Sequence, residues 1–72
     1  VVPKDHYPDV AALSAQPALL AELVEQANAV ATDEGLAGRG YRLVFNTGPD
    51  AGQTVFHAHG HVLGGRDLGR LA

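Results

Sequence analysis

The chain has 72 residues, 46% of them hydrophobic and 18% charged, with five basic and eight acidic side chains, four histidines and no cysteine. A formal charge of −3 without clustered Lys and Arg argues against a nucleic-acid-binding surface, and no apolar run approaches the roughly 20 residues that span a bilayer. The lack of cysteine removes any disulfide framework and fits a reducing, cytoplasmic setting.

Val1 to Pro3 reads as the end of a strand, and Asp5 to Leu13 holds a short helical turn around Tyr7-Pro8-Asp9. Ser14-Ala15-Gln16-Pro17 is linker-like: Ser14 is a candidate cap for orphan amides, and Pro17 is tolerated in a first helical turn. From there Leu20, Leu23, Val24, Ala27, Val30 and Ala31 recur at helical spacing, which predicts one amphipathic helix ending near Gly35. Its apolar stripe is core surface. Tyr41, Leu43 and Phe45 alternate with Arg42, Val44 and Asn46, a strand pattern over 41–46. Thr47 to Gly52 is a turn into a second strand, with glycines able to present backbone amides to a phosphate. Gly64-Gly65-Arg66 reads as the turn that ends that strand. The expected fold class is α+β, an antiparallel sheet with one main helix packed on it.

The second strand carries the chemistry. His57, His59 and His61 stand at alternate positions in QTVFHAHGHVLGGR, so a strand places their imidazoles on one face. Phe56, Ala58, Gly60 and Val62 then form a packing face of small or apolar residues. His57 and His61 are separated by roughly 13 Å along a strand, whereas zinc holds nitrogen at about 2.0 to 2.1 Å. One metal could take two neighbouring histidines but hardly all three, and His6 or scattered carboxylates would have to complete the set. The competing use is nucleophilic: a neutral imidazole nitrogen attacks phosphorus and forms a covalent intermediate. That role requires a fixed tautomer, one ring nitrogen donating and the other keeping its lone pair. A solvated polar face is the third reading.

The string AGQTVFHAHGHVLGGR resembles the histidine triad family of nucleotide hydrolases and transferases, and Val1-Val2-Pro-Lys-Asp-His6 resembles that family's upstream strand end. The resemblance spans essentially the whole chain. It implies a purine nucleoside monophosphate held at its phosphate, attacked by His59 and released by water, with no cofactor and no metal. His61 would support a non-bridging phosphate oxygen, His57 would orient, and His6 would approach from the other end of the chain. Asn46 falls where the phosphoramidate-cleaving branch has asparagine and the dinucleoside polyphosphate branch has glutamine, which favours the first branch. The same resemblance implies Gly52, Gln53 and Thr54 as phosphate-side contacts, Thr54 keeping the hydroxyl of the serine common in that branch. Family members carry further residues before the Val-Pro-Lys segment, so residues 1–72 are expected to be the C-terminal part of one domain. A homodimer is expected too, because Leu20, Leu23, Val24, Ala27 and Val30 cannot all find partners in so short a chain. The alternatives are a dinucleoside polyphosphate hydrolase, a slow nucleotide-binding regulatory module and a two-histidine metal site.

Overall fold

The computed structural model describes residues 1–71. Its first helix, α1 (Val10–Leu13), starts where Asp9 turns its carboxylate back to accept the Ala12 N–H at 2.8 Å. The helical turn therefore follows Tyr7-Pro8-Asp9 instead of surrounding it, since the short Asp side chain satisfies an orphan amide from outside the helix. Ser14 also has a different part from the one expected. It closes α1, its N–H bonding the Val10 carbonyl at 2.9 Å and its hydroxyl the Ala11 carbonyl at 2.6 Å.

The long helix α2 (Pro17–Asp33) begins without a side-chain cap at Gln16. Its start rests on Pro17, whose missing N–H needs no partner in a first turn and whose fixed φ already suits a helix. The buried positions are Leu23, Ala27 and Ala31, one residue per turn. Val24 and Val30 are 41% and 42% exposed, so the apolar stripe that packs is narrower than its sequence pattern. The end is a Schellman motif: the Leu36 N–H bonds the Ala31 carbonyl at 2.8 Å and the Gly35 N–H bonds the Thr32 carbonyl at 3.0 Å. Gly35 makes this possible at φ +74°, where a side chain is strained.

Strand β1 (Arg42–Phe45) pairs antiparallel with β2 (Gly60–Leu63), in a register that sets Leu43 opposite Val62, Val44 opposite His61 and Phe45 opposite Gly60. The link between them holds a 3-10 turn at Pro49–Ala51. The antiparallel sheet and its helix match the α+β expectation, but β2 starts later than expected: only His61 of the three alternating histidines lies inside it. The segment before Gly60 runs instead along the first residues of the chain. The Ala58 N–H bonds the Tyr7 carbonyl at 2.6 Å. Gly60 and Val1 exchange both backbone bonds, Gly60 N–H to Val1 O at 2.8 Å and the Val1 backbone nitrogen to Gly60 O at 2.7 Å, as an antiparallel hydrogen-bonded pair does. Residues 1–3, expected as a strand end, make this one strand-like exchange at Val1 but belong to neither strand.

The packing face expected of Phe56, Ala58, Gly60 and Val62 begins only at Ala58, because Phe56 is 57% exposed. Ala58 joins Leu13, Leu23, Ala27 and Ala31 in the core, where Leu13 is the one large side chain buried completely. Among the described residues, no helix is long and apolar enough to cross a membrane.

Candidate active site

The fold brings all four histidines together, as two pairs joined through the main chain rather than as one row. In the first pair the rings of His59 and His61 meet edge to face, their centroids 5.0 Å apart and their planes at 77°. Strand alternation puts both on the sheet face that also carries Val44, the register partner of His61. In the second pair the rings of His6 and His57 stack, with centroids 5.2 Å apart and Nδ1 to Nδ1 at 3.1 Å. His57 turns toward the N-terminal segment because its Nε2 lies 3.2 Å from the Pro3 carbonyl.

These contacts fix tautomers, because a carbonyl oxygen can only accept. The His57 Nε2 must donate to Pro3, which leaves its Nδ1 to accept from the His6 Nδ1–H when both rings are neutral. Likewise the His59 Nδ1 lies 2.8 Å from the main-chain carbonyl of His57 and must donate to it. The lone pair of a neutral His59 therefore sits on Nε2, directed away from the main chain. The ring of His57, expected to orient its neighbour, does not touch it through this bond. Its carbonyl does.

Asn46 follows β1 directly and His59 precedes β2 directly, so each lies one residue beyond the Phe45–Gly60 pair that ends the ladder. Of the turn residues expected at the phosphate, Gln53 and the Gly52 amide are bonded within the protein. Gln53 is 4% exposed, with its carboxamide consumed inside the protein. Its Oε1 accepts the Gly48 N–H at 2.8 Å, and its Nε2 donates to the carbonyls of Pro8 and Val55 at 2.7 and 3.1 Å. The Gly52 N–H bonds the Pro49 carbonyl at 3.0 Å and the Gln53 N–H bonds the Gly48 carbonyl at 3.1 Å. The loop amides at 48, 52 and 53 are thus satisfied internally and do not form an anion cradle. The turn closes on itself through the 3-10 helix, which takes the Gly52 amide, and the Gln53 side chain takes the Gly48 amide. Thr54, next along the chain, is exposed.

Sequence reasoning missed the Pro3 and His57 carbonyls as tautomer-setting groups and Gln53 as the pin of the loop. The Val-Val-Pro opening was the available signal for the first. Among the described residues, no three His, Asp or Glu side chains converge as a metal-holding group.

An α+β domain in which alternating histidines lead into a strand and are met by another histidine from the start of the chain is a defined class, and the comparisons give its family. The chain belongs to the HIT family: the family model of the HIT domain matches residues 1–68. It is 48% identical over 69 residues to an uncharacterised HIT-like protein of Synechococcus elongatus, covering 94% of this chain and 60% of that protein. It is 41% identical over 72 residues to the purine nucleoside phosphoramidase of Escherichia coli, covering 99% of this chain and 60% of that enzyme. Among solved structures, a HIT family hydrolase from Clostridium thermocellum superposes with a TM-score of 0.88 at 46% identity, over 96% of this chain and 61% of the other. A histidine triad protein from Clostridium difficile superposes with a TM-score of 0.87 at 30% identity, over 99% of this chain and 63% of the other. The chain spans about 60% of the length of the curated relatives it matches.

Proposed function

We propose that this chain supplies the histidine machinery of a nucleotide hydrolase acting on nucleoside phosphoramidates. The observation that carries the reading is the 2.8 Å bond from the His59 Nδ1–H to the His57 carbonyl, which leaves Nε2 as the nucleophile. In the first step Nε2 attacks phosphorus, the Nε2–P bond forms, the P–N bond of the substrate breaks and the leaving amine takes up a proton from solvent through the Thr54 hydroxyl. In the second, water attacks phosphorus, returning a proton to solvent, and the Nε2–P bond breaks, releasing the nucleoside monophosphate and neutral His59. Splitting the displacement this way replaces one difficult step by two easier ones. His61, beside His59 on the same face, supports the charge on a non-bridging oxygen. Thr54 carries the hydroxyl that serves the leaving group, and Asn46 contacts the substrate from across the strand.

The name of the Escherichia coli relative supports a purine base and a phosphoramidate bond. Asn46, in place of the glutamine of the dinucleoside polyphosphate branch, supports the same choice. The protein works as a cytoplasmic homodimer in this reading, with the exposed Val24 and Val30 of α2 as part of the apolar surface that asks for cover. The test is covalent trapping: quenching the full-length protein with labelled phosphoramidate and mapping the peptides gives a nucleotidyl adduct on His59. An adduct on His57 or His61 instead overturns the assignment.

A further inference from the structure

Gly60 separates His59 from His61, and the space that a side chain there would take is already occupied. On the face away from the imidazoles, a Cβ at Gly60 would lie 3.0 Å from both Cε1 and Cζ of Phe45 and 3.2 Å from Cδ1 of Leu43. Contacts that short force the neighbours to give by a few tenths of an ångström. Along its free edge the same residue is tied to Val1 by both of its backbone polar groups, at 2.7 and 2.8 Å. Phe45 is also its register partner on β1, so the ring fills the space that an ordinary side chain at 60 would occupy. Position 60 is therefore held from above by an aromatic ring and from the side by two hydrogen bonds. His59 and His61 inherit their spacing from it.

We propose that Gly60 is a positioning residue: its missing side chain lets Phe45 lie on the β2 backbone and thereby fixes His59 against His61. This inference rests on the nucleophilic reading of His59. It adds that the Phe45–Gly60 pair, which touches no substrate, sets the turnover number. A side chain at 60 pushes β2 away from β1 or displaces the Phe45 ring, and the two imidazoles lose their mutual setting.

The test compares Gly60→Ala with the double variant Phe45→Val/Gly60→Ala in the full-length protein, a volume-compensating exchange. Misplacement of reacting groups by 1 Å costs about 100-fold, so the smaller shift in Gly60→Ala should lower kcat about tenfold with KM within about twofold. The double variant should regain most of that loss. Imidazole nitrogen resonances of His59 and His61 should move in Gly60→Ala and return in the double variant. Unchanged kcat and unchanged ring resonances in Gly60→Ala overturn the proposal, as does a loss that persists in a folded double variant. If Gly60→Ala does not fold, the double variant decides: folded and active supports the proposal, whereas slow or unfolded overturns it. If the unsubstituted protein does not turn over a phosphoramidate, the proposed function fails, and the ring resonances still judge the positioning role.

Discussion

At the scale of single residues, the lone pair that His59 offers is set by a carbonyl, and a carbonyl survives any side-chain substitution. His57→Ala therefore keeps the acceptor for the His59 Nδ1–H and loses only the ring contacts to Pro3 and His6. Its kcat should fall about 10- to 100-fold, the range for a nucleophile displaced rather than deleted. His59→Ala should fall by about 10,000-fold or more, since nothing replaces the attacking nitrogen. Steady-state turnover of the two variants checks the order, and equal losses would return His57 to an equal chemical role. The same lone pair gives a second expectation. A nitrogen that attacks phosphorus cannot also be occupied by a metal, so prolonged treatment with a strong chelator should leave turnover unchanged. Chelator-sensitive turnover that zinc restores would favour the two-histidine metal site.

At the scale of elements, two local devices hold the site's supports. Removing the Gln53 side chain takes away the partner of the Gly48 N–H and of the Pro8 and Val55 carbonyls, which lie in partly buried surroundings. Gln53→Ala should cost about 1 kcal/mol, the net worth of a hydrogen bond whose partners water can reach, read as a lowered denaturation midpoint. Gly35 has nothing within 4 Å of a would-be Cβ, so Gly35→Ala isolates the cost of its left-handed backbone. That cost is about 1 kcal/mol, visible as a lower melting temperature. The end of α2 was legible because a Schellman glycine is a local signal, and so was the spacing of Leu23, Ala27 and Ala31. The alternation of Tyr41 to Asn46 also marked β1. What the sequence could not show depends on distant partners. The stacking of His57 on His6 joins positions 51 residues apart, and the hold of Gln53 on Pro8 joins positions 45 apart. Periodicity reports which face a residue occupies. It does not report that Val1 and Tyr7 run beside the histidines and cut the regular strand short.

At the scale of the molecule, the chain exposes 5065 Å² at a mass of 7.5 kDa, where a compact monomer of that mass shows about 4200 Å². The excess lies partly in Val2, Val55, Phe56 and Leu71, each more than half exposed. A two-stranded sheet is marginal by itself in water; here α2 packs on it, and the exposed apolar side chains are surface that a second subunit or further chain would cover. Sedimentation of the full-length protein at micromolar concentration should give a dimer; a fully active monomer would assign that cover to the same chain.

The bonds that assemble the histidines link Val1 to Gly60, Pro3 to His57 and His6 to His57, at sequence separations of 59, 54 and 51. Closing such long loops is paid before any of these contacts rewards it, which makes non-local pairing slow relative to helix formation. The contacts that set the His59 tautomer are therefore expected to form late in folding. On refolding, the helical signal of α2 should return before turnover does, and an intermediate with a complete helix should remain chemically silent.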